Sequence, residues 1–245
     1  MISDEEKKII LAKAQDWFKE SVIQNHLRNT RKLKKASKFK INAFTTTYLA
    51  NFLIGDTTPE SIAKALLYPR ILATSINTTF GKAIQKFTSE VLDSFGSTTS
   101  GIDIEYIDID DGRRKYCQIK AGPETINFSD VETLHSHFKA IKNLARTNNM
   151  SLQINDMVVG IVYGDRSQLS ANYKKLENDH HYKILIGKEF WTKLTGDDDF
   201  YEDLIAAINE VAEGFDFSKE LDLIVKELAQ DPKILELSCM ANKDI

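Results

Sequence analysis

The stretch SGIDIEYIDIDDGRRKYCQIKAGPETIN, Ser100 to Asn127, differs in texture from what surrounds it. From Gly101 to Ile109 apolar and polar residues alternate, which is strand periodicity. Asp111-Gly112 is a strong hairpin turn signal, Arg114 to Ala121 reads as the returning strand, and Gly122-Pro123 breaks it. Residues two apart on a strand share a face. Asp103 and Glu105 therefore share one face, as do Gln118 and Lys120, while Ile104 and Ile119 point the other way, into a core. A hairpin turning at Asp111-Gly112 brings the two polar pairs near one another.

Upstream the pattern is helical. Ile9, Ile10, Ala14, Trp17, Phe18, Val22 and Ile23 recur at spacings of three and four, predicting an amphipathic helix from Asp4 to about Leu27 that starts at Ser3. INAFTTTYLANFL, Ile41 to Leu53, is apolar and expected to be buried. Thr58-Pro59-Glu60 opens a helix toward Tyr68, and another runs from Phe80 to about Phe95, capped near Thr79 and ended by Gly96.

Downstream, Ser129 or Asp130 begins a helix through Leu134, Phe138, Ile141 and Leu144. MVVGIVY, Met157 to Tyr163, is a continuous apolar run and fits a central strand. A polar loop follows, then a shorter strand from Tyr182 to Ile186. Helices over KEFWTKL, Phe200 to Val211 and Leu221 to Leu228 close the chain. The fold class is α/β: a mixed β-sheet core flanked by helices, with an N-terminal helical part. We expect one domain over 1–245, with 1–98 largely helical, 99–215 the α/β core and 216–245 the C-terminal helices.

The 245 residues are 42% apolar and 28% charged, ordinary for a globular chain with a real core. Two cysteines, Cys117 and Cys239, cannot make a disulfide framework or a cysteine-rich zinc site. MISDEEKKII reads as neither a signal peptide nor an anchor, and no window approaches the ~18 apolar residues that span a bilayer. These features predict a cytoplasmic protein without membrane contact. A net charge of −4 argues against a non-specific nucleic-acid coater, yet the charge is sorted. Arg28, Arg31, Lys32, Lys34, Lys35, Lys38 and Lys40 have no acid between them, whereas acids gather at Asp108, Asp110, Asp111 and at Asp197 to Asp199. There is no nucleotide-binding glycine loop, Ser/His/Asp signature or zinc spacing.

The polar face of the hairpin offers an acid, a second oxygen ligand and an ammonium at one sheet edge. Phosphodiester hydrolysis asks for this set. A carboxylate and another oxygen hold Mg²⁺, a hard ion that prefers oxygen. The metal lowers the pKa of a bound water and neutralises charge on phosphate. A lysine steers the water and stabilises the oxyanion.

Asp, about fifteen residues, then Gln-x-Lys resembles the motif of the PD-(D/E)XK nuclease superfamily. The usual middle residue is Asp or Glu; this chain has Gln118, a neutral and weaker ligand, and Glu105 or Glu90 is a candidate source of the missing negative charge. The whole stretch SGIDIEYID…YCQIKAGPETIN resembles the catalytic region of Type II restriction endonucleases. TFGKAIQKF, VVGIVYGD, GKEFWTKL and INAF are similar in the same order, so that the similarity covers roughly residues 25 to 210. It is strongest to enzymes that cut short GC-rich palindromes with an unspecified central base. The resemblance implies a restriction-endonuclease-like fold, a homodimer, double-strand DNA cleavage, Mg²⁺ as cofactor and a cognate DNA methyltransferase as a genetic partner. It makes Asp103 and Gln118 metal ligands and Lys120 the catalytic lysine.

Arg28, Arg31, Lys32, Lys34, Lys35 and Lys38 are candidate phosphate contacts, which position a protein on DNA without reading sequence. Asn127, in the loop past Lys120, is a candidate DNA contact, and Arg166, Lys174 and Lys175 in the later polar loop are others. His135 and His137, two apart on a helix, point in different directions and read as surface or capping residues, as do His180 and His181. Cys117 falls on the core face. Asp197 to Asp199 read as helix capping, and Trp17 and Trp191 as packing. Two alternatives stay open: a repair or junction-resolving nuclease of the same superfamily, and a non-catalytic DNA-binding protein on that scaffold.

Overall fold

The computed structural model describes residues 2–242. In chain order its helices are α1 (Asp4–Trp17), α2 (Gln24–Thr30), α3 (Ala43–Ile54), α4 (Pro59–Pro69), α5 (Ile76–Glu90), α6 (Phe128–Thr147), α7 (Ala171–Asn178), α8 (Lys188–Thr195), α9 (Phe200–Glu213), α10 (Ser218–Ala229) and α11 (Pro232–Ala241). Strands β1 (Ile104–Ile107), β2 (Arg114–Lys120), β3 (Met157–Ile161) and β4 (Lys183–Ile186) form one sheet in that order. The β1–β2 pair is antiparallel and the β2–β3 and β3–β4 pairs are parallel, giving the mixed sheet expected. The chain divides into two compact units, 1–18 with 81–211, and 19–80 with 212–245. These boundaries do not follow the divisions at 98 and 215 drawn from sequence texture.

The first unit holds the sheet. α6 covers one face: Val131, Leu134, Phe138 and Ile141 pack with Tyr116, Val159, Ile161, Ile184 and Ile186. Asn127 caps α6 through a capping box with Asp130, so the helix begins at Phe128, one residue before Ser129. Elsewhere in this unit an aromatic chain links helices. The Trp17 and Phe87 rings are 4.8 Å apart edge to face, Phe87 and Trp191 5.9 Å, and Trp191 and Phe200 5.4 Å. The segment taken for a polar loop contains a helix, α7, whose buried Tyr173 and Leu176 hold it down.

In the second unit α4 is central. Its Ile62, Ala63, Ala65 and Leu67 pack with Ile224, Val225 and Leu228 of α10 and Ile234 and Leu237 of α11. The helix expected to run toward Tyr68 ends at Pro69, and a π turn, Arg70–Ser75, carries the helical path into α5. One expectation fails here: Ile41 to Leu53 is not buried. α3 turns its small residues, Thr46 and Ala50, inward, and leaves Phe44, Tyr48, Leu49, Phe52 and Leu53 exposed.

The hairpin that carries the candidate residues is pinned by buried charge. Lys115 and Asp156 are each 1% exposed. Lys115 Nζ donates to Asp156 Oδ1 at 3.1 Å and to Asp111 Oδ2 at 2.5 Å, and the Arg113 guanidinium also donates to Asp156. β2, the turn and the entry to β3 are thereby tied together. Burial alone would raise the Asp156 pKa. The Arg113 side chain, the Gln153 N–H and Lys115 outweigh it and hold the carboxyl at about 2. A carboxyl depressed in the folded state stabilises fully above its unfolded value, about 3.9, and loses that contribution as pH falls through the folded one. Asp156→Asn should therefore cost about 2–4 kcal/mol at neutral pH, because it leaves Arg113 and Lys115 short of a partner. Urea midpoints at pH 4 and pH 2 should show wild type losing about 2 kcal/mol more than the variant. Equal losses would mean that the cluster does not hold the hairpin.

Candidate active site

The register of β1 on β2 pairs Ile104 with Cys117 and Glu105 with Tyr116. Continued by one rung, it sets Asp103 opposite Gln118. Both line a cavity of about 330 Å³ with Gly101, Ile102, Ile119, Lys120, Ile84 and His137. The structure thus brings Asp103, Gln118 and Lys120 to one volume. Ile104, Cys117 and Ile119 face the other way and are buried, and burial pushes the Cys117 thiol pKa up.

Asp103 Oδ2 accepts the Ile119 N–H at 2.6 Å, and Asp103 N donates to Cys117 O at 3.0 Å, so both ends of the residue are fixed to β2. Much of Asp103 is open to solvent, but its carboxylate is tucked against the sheet edge. Desolvation raises its pKa above the ordinary range, and the Ile119 N–H with the charge of Lys120 offsets this only in part. Gln118 is 5% exposed, and its Nε2 lies 2.9 Å from His137 Nδ1 on α6. Lys120, at the end of β2, is half-buried and pairs along the ladder with Ile161.

The other two candidate acids are held elsewhere. Glu105 shares the face of Asp103, but two residues along it accepts from Ser97 Oγ at 2.5 Å, Thr99 Oγ1 at 2.8 Å and Arg114 Nη1 at 2.9 Å. Burial raises its pKa, and these three donors hold it below the usual carboxylate range. Glu90, the last residue of α5, is exposed beside Lys86 at 3.8 Å, one turn back. Neither supplies the missing charge to the cavity.

His137 is the residue that the sequence reading set aside. The two α6 histidines do point apart, as their spacing requires, but each meets a partner. His135 Nδ1 lies 2.9 Å from the Tyr182 hydroxyl and its ring lies against that of His180, while His137 reaches Gln118. The available signal was position: 137 borders the buried stripe of Leu134 and Phe138.

The candidate DNA contacts divide in the same way. In the second unit Arg28, Lys32, Lys35 and Lys38 are exposed. Arg31 is bidentate to Glu220 at 2.6 and 3.0 Å, and Lys34 pairs with Glu227 at 2.8 Å, so α10 neutralises both. In the first unit Lys174 is exposed. Asn127 spends its side-chain oxygen on the α6 cap. Arg166 donates to Ile184 O at 2.9 Å and to Glu177, fastening the segment before α7. Lys175 sits over the Phe128 ring at 4.6 Å.

Two oxygens of residues that line the cavity, Asp103 Oδ1 and Gln118 Oε1, accept no hydrogen bond among the described residues. One anionic and one neutral oxygen fit a hard divalent ion that keeps several waters and takes phosphate oxygens from a substrate. They do not make a closed protein cage, and no group of three or more His, Cys, Asp or Glu that could hold a metal occurs among the described residues. Among those residues, too, no helix is long and apolar enough to cross a membrane.

No curated protein matches the chain. A family model described as Type II restriction endonuclease EcoO109I matches residues 12–216, from within α1 to just past α9 and including the whole sheet. The chain belongs to that restriction endonuclease family.

Proposed function

We propose that the protein is a Mg²⁺-dependent Type II endonuclease that cuts both strands of DNA at a specific sequence, a short GC-rich palindrome, with Asp103, Gln118 and Lys120 as its working residues. The observation that carries the reading is the shared cavity of an acid, an amide and an ammonium on adjacent strands. Asp103, fixed through Oδ2, offers Oδ1 as an anionic ligand. Gln118 offers its amide oxygen. When bound, the ion neutralises charge on the scissile phosphate and lowers the pKa of a coordinated water. The Lys120 ammonium orients the attacking water and stabilises the charge that builds on the phosphate oxygens. Arg28, Lys32, Lys35, Lys38 and Lys174 fit phosphate contacts, being exposed cations.

A homodimer suits a palindrome, because protein and DNA then share a two-fold axis. α3 supports this: Phe44 is 90% and Phe52 75% exposed, with Tyr48 and Leu53 exposed on the same helix, and clustered exposed apolar side chains mark interaction sites. A cognate methyltransferase is the expected genetic partner, protecting the same site.

Lys120→Ala should lower the cleavage rate by at least about 10²-fold while leaving the melting temperature and DNA affinity close to wild type; discrete bands from a plasmid of known sequence read the activity. A fully active variant would remove Lys120 from the site. Cutting confined to branched or damaged DNA would favour a repair or junction enzyme. Tight binding without Mg²⁺-dependent cutting would favour a scaffold that has lost its chemistry, which Gln118 in place of an acid makes a real competitor. Gln118→Glu restores a charged ligand and should lower the Mg²⁺ concentration needed for half-maximal cleavage; an inert but folded variant would argue that Gln118 does not ligate. Sedimentation of a Phe44→Glu/Phe52→Glu variant should give a monomer where wild type gives a dimer, and a persistent dimer would move the interface off α3.

A further inference from the structure

We propose that His137 is a positioning residue that turns the Gln118 amide so that its oxygen, not its nitrogen, faces the cavity; this rests on the reading of Gln118 as a metal ligand. A carboxylate offers an oxygen whichever way it turns. An amide does not: one end accepts and the other donates. Where glutamine stands in place of the acid, some neighbour has to select the orientation, because an NH₂ group aimed at a cation repels it.

His137 is placed to do so. Its Nδ1 lies 2.9 Å from Gln118 Nε2. A neutral imidazole protonated on Nε2 presents Nδ1 as an acceptor, so the amide N–H donates to it and Oε1 is left toward the cavity. The reversed amide would set two acceptors face to face and leave a donor against the ion. Gln118 is 5% exposed, so little water is at hand to compensate for a wrong orientation.

The imidazole is itself confined. On one side α6 is anchored through Leu134 and Phe138, both buried in the sheet core. On the other, Gly101 lies against the ring: a Cβ there would stand 2.8 Å from His137 Cγ and 3.1 Å from Nδ1. Gly101 also has φ +79°, a conformation that side chains other than glycine's rarely adopt. The close approach of Gly101 thus keeps the ring against Gln118. The order of support runs from Gly101 to His137 to Gln118 to the ion, and partners of this kind typically change metal affinity by about 10- to 100-fold when removed.

The test uses full-length protein bound to uncleaved DNA, with Mn²⁺ binding followed by electron paramagnetic resonance and thermal melting as a check on folding. His137→Leu should weaken Mn²⁺ about tenfold or more. In cleavage assays the loss should appear in the Mg²⁺ concentration needed and be largely recovered at saturating Mg²⁺. His137→Asn, whose side-chain oxygen can accept the same N–H, should restore most of the affinity. In a Gln118→Glu background His137→Leu should change Mn²⁺ affinity by less than about twofold, since a carboxylate needs no orientation. Equal weakening by His137→Leu in both backgrounds would make His137 a packing residue and overturn the proposal, as would unchanged affinity with Gln118 present. Asp103→Asn is the control for the underlying reading. If it abolishes Mn²⁺ binding while His137→Leu does nothing, the positioning role alone falls; if it too leaves binding unchanged, the ligand assignment falls with it.

Discussion

One short bond holds the candidate site together: the Ile119 N–H to Asp103 Oδ2, 2.6 Å, across the edge where β1 begins. It locks the acid of one strand to the backbone between Gln118 and Lys120 of the next. The antiparallel register does the rest, since a slip of one residue would send Asp103 to the opposite face of the sheet and put Ile104 in its place. The buried Lys115–Asp156 contact and the Arg113 guanidinium guard that register from the far end of the hairpin. The sheet's apolar layer under α6 keeps the platform rigid.

Alternation along Gly101 to Lys120 made this geometry legible from sequence, because a period of two fixes which residues share a face. What alternation does not fix is the rung on which a side chain finds its partner. Glu105 lies on the same face as Asp103, but Arg114, Ser97 and Thr99 draw it away. Glu90 needed the end of α5 to reach the cavity, and it lies instead beside Lys86. His137 was illegible for the complementary reason. Its role depends on how α6 lies across the sheet, a tertiary fact that helical spacing cannot carry.

The helical unit teaches a related lesson. Apolar residues in α3 signalled burial, yet hydrophobicity records only that water is to be avoided, not whether the chain itself or another molecule does the covering. The charge run between Arg28 and Lys40 offers candidate phosphate contacts. α10 takes Arg31 and Lys34 for itself and leaves Arg28, Lys32, Lys35 and Lys38 exposed. The segment from Arg166 to Lys175 reads as a loop in sequence because only Tyr173 and Leu176 mark the buried side of α7, too few for periodicity to register.

On the function we propose, adjacent strands deliver an acid oxygen and an amide oxygen to one divalent ion beside a scissile phosphate. A crystal structure of the protein on its DNA site with Ca²⁺ in place of Mg²⁺ tests it most directly. An ion should lie about 2.3–2.6 Å from both Asp103 Oδ1 and Gln118 Oε1, sharing a phosphate oxygen, with the Lys120 ammonium beside that phosphate. An ion held by other residues, or a phosphate lying away from this cavity, would contradict it.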